Sequence, residues 1–238
     1  MFEPESYREF LERISEYQKK EFSIGTEQFK LSDSVLKKVN ADNTFADFYG
    51  DTVVFDLDRD DKDKIEQYIN KLYDFVPDCF SERLKGSTLH MTLHDLSSSP
   101  QLSKVAAECF ENEISLIKNR NFLGNMPKYI KMEATCVYKI YCTSVVLGLK
   151  PVNEAEYDTL MQLYNRVDNI RELNYQFAPH ITLAYFNRKG FSSDDVPKLE
   201  RIVNELNKQE LTITLSTDNL FYEKFTNMNS YYIIRKIL

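Results

Sequence analysis

Tryptophan is absent from the 238 residues, histidine occurs three times and cysteine four times. No Lys/Arg-rich block is present, and the chain carries a net charge of −7 with a pI near 5.2. Proteins that grip long nucleic acid present a basic face, so a long duplex partner is not expected. A small or terminal phosphate in a local basic pocket stays open. The sequence contains no apolar run of about 18 residues, so no membrane span is expected. The N-terminal MFEPESYREFLERISEYQKK is charged and amphipathic and lacks the apolar region of a secretory signal. Cys79, Cys109, Cys136 and Cys142 form no C-x-x-C pair, and no histidine lies near Cys136 and Cys142. A zinc knuckle is therefore not expected, and reduced, mostly buried thiols of a cytoplasmic protein are. No H-E-x-x-H motif or Asp cluster accompanies the histidines, so neither a metal nor another cofactor is expected.

Apolar residues make up 42% and charged residues 28%, an ordinary globular balance. The length suits one large domain or two small lobes. Sixteen Phe and fifteen Tyr supply rings for packing and phenols for pockets.

Residues 4–21 place Tyr7, Phe10, Leu11, Ile14 and Tyr17 at helical spacing. A break at Gly25 and a mixed stretch from Phe29 to Phe48 follow. Residues 1–48 thus read as a mainly helical N-terminal extension that packs on a body spanning 49–238. Thr52 to Asp58 is a β-branched, buried strand. DRDDKDKIEQYINKLYDFV is a helix with acids in its first turn and a stripe of Ile65, Tyr68, Ile69, Leu72 and Phe75. Its charge run reads as a solvated face. STLHMTLHDL is an alternating strand, SSSP a break, and LSKVAAECFENEISLIKN a helix with Leu102, Val105, Ala106, Cys109, Phe110 and Ile114 on one side.

The same order then recurs. YIKMEATCVYKIYCTSVVLGLK gives a pair of strands, about Glu154 to Leu173 a helix, and FAPHITLAYF a strand. Ser192 or Ser193 caps a helix through Leu206. LTITLSTDNLFYEKF and SYYIIRKIL close the chain as two strands in a hairpin. Val54 to His90 spans 36 residues and Val146 to His180 spans 34. The fold class is therefore α+β. Two pseudo-symmetric lobes, roughly 49–125 and 126–238 with strand exchange between them allowed, line a central cleft with antiparallel sheets and carry helices on their outer faces.

Two of the three histidines open the tetrapeptide H-x-T-L, as His90-Met91-Thr92-Leu93 and His180-Ile181-Thr182-Leu183. The chance of x-Thr-Leu following a given histidine is on the order of one in two hundred. On a strand, residues i and i+2 share a face, so each half offers one imidazole and one hydroxyl to a shared groove. That set suits phosphodiester chemistry. One imidazole takes a proton from the nucleophile and the other gives one to the leaving oxygen. The hydroxyls donate to non-bridging oxygens that gain charge in the transition state. By period 2, His94 shares the face of His90 and Thr92, as a substrate contact or as a strand-end residue; its counterpart is Ala184. Tyr138, Lys139 and Tyr141 lie on a strand beside the cleft, where a tyrosine can stack a base. Lys139 and Arg188 are the candidates to balance phosphate charge.

The paired motifs HMTL and HITL resemble the 2H phosphoesterase superfamily, which includes RNA 2′,3′-cyclic phosphodiesterases and 2′-5′ RNA ligases. YGDTVVFDLD followed by STLHMTL is similar to a bacterial branch of it, and the likeness runs from about Gly50 to Leu238. The resemblance implies His90 and His180 as the acid/base pair, with Thr92 and Thr182 holding the phosphate. It also implies two α+β lobes around a cleft. Relatives often carry a basic residue shortly after the second motif; Arg188 in AYFNRK stands somewhat later. Three functions stay open. The first is a phosphodiesterase acting without metal on a cyclic phosphate or a 2′-linked phosphodiester of RNA ends or nucleotides. The second is a hydrolase of cyclic oligonucleotide signals, and the third a nucleotide sensor without turnover.

Overall fold

The computed structural model describes residues 5–24, 31–119 and 126–237. The Gly25 break, Phe29 and the terminal Leu238 of the last expected strand lie outside them. Strand β1 (Tyr49–Asp56) is buried along all but its ends, as its β-branched and apolar sequence dictates. It leads into α3 (Arg59–Phe75), where the Asp58 side chain accepts from Asp61 N. Here the acidic run is not simply solvated. Asp61 is buried, pairs with Lys64, and accepts from Thr214 N at 2.9 Å. Phe75, expected on the apolar stripe, is instead exposed because the chain turns at Val76 and buries that side chain.

Strand β2 (His90–Ser99) runs through the serines, and the expected break comes only at Pro100. The serines stay in the ladder because Ser97, Ser98 and Ser99 pair with Asp51, Gly50 and Tyr49. Ser97 N also donates to the buried carboxylate of Asp51, which further accepts from Asn112 Nδ2 and Tyr222 OH. Asn112 belongs to α4 (Leu102–Lys118), whose inward residues are Val105, Cys109, Asn112 and Leu116. Leu102 and Phe110, expected inside, are exposed, because the helix rotates to offer Asn112 to Asp51.

Strands β3 (Tyr129–Ile140) and β4 (Ser144–Pro151) form a hairpin whose turn residues, Tyr141 and Cys142, both have positive φ. Helix α5 (Glu154–Asp168) stops five residues before the expected Leu173. Its last side chain, Asp168, turns back to accept from Leu173 N at 3.2 Å. Strand β5 (His180–Tyr185) and helix α6 (Val196–Leu206) complete the repeat.

LTITLSTDNLFYEKF, expected as one strand, is two: β6 (Thr212–Ser216) and β7 (Leu220–Asn227), with a 3-10 turn at Thr217–Asn219 between them. Strand β8 (Ser230–Lys236) follows in a hairpin with β7. The eight strands form one curled antiparallel sheet in the order β6-β3-β4-β5-β2-β1-β7-β8. Thus β6 pairs with β3 at one edge, while β7 crosses to β1 in the other half. The two half-sheets, β5-β4-β3-β6 and β2-β1-β7-β8, meet at a single pair, Met91 with Ile181. Helix α4 packs on β1 and β2, α5 on β2, β3 and β4, and α3 on β5 and α6. One apolar core runs beneath both halves. Among the described residues, no helix is long and apolar enough to cross a membrane.

The N-terminal segment packs on these elements. Helix α1 (Tyr7–Ser15) has a Ser6/Glu9 capping box and buries Phe10 and Ile14 against Tyr157 of α5. It ends well before the expected residue 21. Beyond it, Gln18 Oε1 accepts from Thr135 Oγ1, and Phe22 N donates to Asn204 Oδ1, so side chains of the body take over as partners. A short helix α2 (Asp33–Lys38) leads to a bridge between Val39 and Phe45.

Candidate active site

The H-x-T-L motifs occupy the two strands that meet at the centre of the sheet. Met91 lies opposite Ile181 in an antiparallel pair. All four motif side chains, His90, Thr92, His180 and Thr182, line one cleft.

Both motifs contain a β-bulge at the same place. Val53 and Val54 pair with His94 and Thr92, so Leu93 is an extra residue in β2. Val145 and Val146 pair with Ala184 and Thr182, so Leu183 is the extra residue in β5. Both leucines are buried. A bulge shifts the alternation of faces by one. His90 and Thr92 are followed into the cleft by Asp95, and His180 and Thr182 by Tyr185.

The same shift removes His94 from the face predicted by period 2. Its ring is buried on the helix side, packs on Tyr164 at 5.0 Å, and bonds Asp168 Oδ1 through Nε2 at 3.0 Å. Its Nδ1 contacts the Asp95 carbonyl. His94 thus ties β2 to α5 and, through Asp168, to the loop that carries Leu173 and Tyr175 into the cleft.

The cleft encloses about 310 Å³. That lies at the low end of the roughly 300–1,000 Å³ common for ligand sites. His180 Nδ1 lies 2.8 Å from Ala178 O. A carbonyl only accepts, so Nδ1 carries the proton and Nε2 is left bare. His90 also bonds the backbone of the residue two back, Thr88. Burial pushes the His90 pKa down to about 4, against the opposing pull of the Thr88 bond and the Asp95 carboxylate. Burial also lowers the His180 pKa, and Lys38 adds to that lowering. Both rings are therefore neutral near pH 7. Tyr231 of β8 sets its ring 5.0 Å from that of His90. Tyr175 donates to Asp95 Oδ2 at 2.6 Å.

The remaining expected contacts do not line the cleft. Tyr138 is buried against Cys136 and Val146, with its hydroxyl by Gln18 of the extension. Lys139 follows it near the far end of β3, and Tyr141 is exposed at the hairpin turn. Arg188 Nη1 donates to Val39 O at 2.9 Å. The cation that does line the cleft is Lys38. Asp95 and Tyr185 went unnoticed in the sequence because strict alternation hides a bulge. Lys38, Tyr175 and Tyr231 arrive from distant segments and left none. Among the described residues, no group of three or more His, Cys, Asp or Glu is placed to hold a metal.

No family model and no curated protein matches the chain. Solved structures do. A conserved protein of unknown function, ATU0111 from Agrobacterium tumefaciens, aligns over 91% of this chain and 97% of its own, with a TM-score of 0.70 and 13% identity. A structure described as a phosphoesterase aligns over 79% and 96%, with a TM-score of 0.51 and 14% identity. Escherichia coli LigT in complex with 3′-AMP aligns over 79% and 96%, at 0.49 and 13%. The chain thus shares its fold with a solved phosphoesterase, the fold that the H-x-T resemblance implies.

Proposed function

We propose that this chain is a 2H-type phosphodiesterase. It opens a cyclic phosphate, or cleaves a 2′-linked phosphodiester, at RNA ends or in nucleotides, without a metal. His90 and His180 form the acid/base pair, and Thr92 and Thr182 hold the phosphate. The observation that carries this reading is the antiparallel meeting of the two motifs at Met91 and Ile181, with matching bulges and matching backbone bonds. Two neutral imidazoles at one cleft suit in-line displacement. One takes a proton from water as its oxygen bonds to phosphorus. The other ring, protonated once the anionic phosphate is bound, gives its proton to the leaving oxygen as the P–O bond breaks. The hydroxyls donate to the non-bridging oxygens.

The small cleft favours a single nucleotide or an RNA terminus over a cyclic oligonucleotide. Four unpaired cysteines, three of them buried, fit action in the reducing cytoplasm. The test is turnover in EDTA of nucleoside 2′,3′-cyclic phosphates, a 2′-5′-linked dinucleotide and 3′,3′-cyclic dinucleotides, with His90→Ala and His180→Ala alongside. Turnover lost in both variants supports the reading and names the substrate class. Activity untouched by either substitution refutes it, and tight nucleotide binding without turnover points to a sensor.

A further inference from the structure

Arg188 does not line the cleft but bonds the loop next to a residue that does, Lys38. Its Nη1 donates to Val39 O at 2.9 Å and its backbone N to Asn43 Oδ1 at 3.1 Å. Both contacts fall on the loop that follows α2. Ala46 N closes that loop on Lys38 O at 2.9 Å, and Phe45 N donates to Glu82 Oε1 at 2.7 Å. The loop is thus pinned to the body on either side of its turn.

What this pinning fixes is Lys38, the last residue of α2. Its ammonium lies 5.2 Å from the centre of the Phe48 ring and 5.4 Å from that of Tyr185. Such cation–π contacts hold the charge in place without using up its N–H donors. Among the described residues no carboxylate pairs with it. Lys38 is the one Lys or Arg lining the cleft among the described residues, and its charge reaches His180. The other lining groups carry no positive charge: two neutral imidazoles, the hydroxyls of Thr92 and Thr182, and the carboxylates Asp51 and Asp95. A phosphate entering there needs a cation, and in a chain of net charge −7 the general field supplies none.

The geometry points to Lys38 as the phosphate-binding cation on the His180 side of the cleft, delivered by the N-terminal extension, with Arg188 as the positioning residue behind it. This rests on the phosphate-handling reading of the cleft. Residues 31–48 then complete the site rather than merely cover the body.

Calorimetric titration of inorganic phosphate and of 2′-AMP into the full chain at low ionic strength tests it. The variants are Lys38→Met, Lys38→Gln, Lys38→Arg, Arg188→Met and, as a control, Lys139→Met. Losing one charged donor weakens binding roughly ten- to a hundredfold. Both neutral Lys38 variants show that loss and a shallower salt dependence. Lys38→Arg keeps most of the affinity, Arg188→Met falls between, and Lys139→Met matches the parent. Equal affinity in the parent and the neutral Lys38 variants overturns the proposal alone. A parent that binds neither probe overturns it together with the phosphoesterase reading. Binding lost with Lys38, in a parent that turns over no phosphodiester, upholds the clamp and removes only the enzymatic reading.

Discussion

Protonation of His90 makes the folded state weaker in acid, by an amount that the cleft sets. Burial holds its pKa at about 4 in the folded protein. An unfolded imidazole titrates near 6.5. As the pH falls through about 6.5, the unfolded chain takes up a proton that the folded chain refuses until about pH 4. Stability is therefore lost across that window and levels off below it. At pH 5 the unfolded ring is charged and lies about 1.5 pH units below its midpoint, while the folded ring is still mostly neutral. At about 1.4 kcal/mol per unit this comes to about 2 kcal/mol. Part of the ring faces the open cleft, and water there trims the figure to roughly 1–2 kcal/mol. Urea denaturation at pH 7.5 and pH 5 reads it directly, comparing the parent with His90→Gln. Carboxylates and His180 contribute to both proteins and cancel. The parent loses roughly 1–2 kcal/mol more than the variant, which corresponds to a few degrees in Tm for a chain of this size. Equal losses in the two proteins would show that His90 titrates normally and that the neutral-pair account is wrong.

Two further substitutions separate the cleft face from the helix face of the same strands. Thr92→Val and Thr182→Val keep shape and β-propensity but remove a donor, and each lowers kcat on the order of a hundredfold with an unchanged denaturation midpoint. A change in midpoint with full kcat would make the threonines packing residues. His94→Leu acts the other way, because it leaves Asp168 without its imidazole partner. It costs roughly 1–3 kcal/mol in unfolding free energy, while kcat keeps most of its parent value. An activity loss as complete as that of His90→Ala would place His94 in the chemistry after all.

The order of elements was legible because each strand and helix of the body carries its own periodicity. The doubled H-x-T-L was legible because two copies at matching places in the repeat have no packing explanation. Three kinds of information were not local. A bulge adds one residue without altering composition, so His94 read as a cleft residue and Asp95 did not. The route from β6 to β7 is a turn of three residues, Thr217–Asn219, and nothing in those residues says that the chain changes edges there. The guanidinium of Arg188 bonds a carbonyl 149 residues away, at Val39. Strand pairing at that distance comes from the three-dimensional packing of halves, not from any window of sequence.

That non-locality has a consequence for how the halves depend on each other. The lobe holding His90 takes its outer two strands, β7 and β8, from the C-terminal end of the chain. Tyr231, the ring beside His90, comes with them. The lobe holding His180 borrows in turn from the N-terminal end, since α1 packs on α5 and Lys38 reaches the Tyr185 ring. Neither half of the repeat can be cut out with its own site. Removing 220–238 exposes the whole edge of β1, whose pairing with β7 runs from Gly50 to Phe55, and unpaired strand edges recruit other chains. The two motifs meet through one residue pair, so the exchanged segments and the common core join the lobes as much as the ladder does. The cleft that holds both imidazoles is therefore built by the ends of the chain as much as by the strands that bear the histidines.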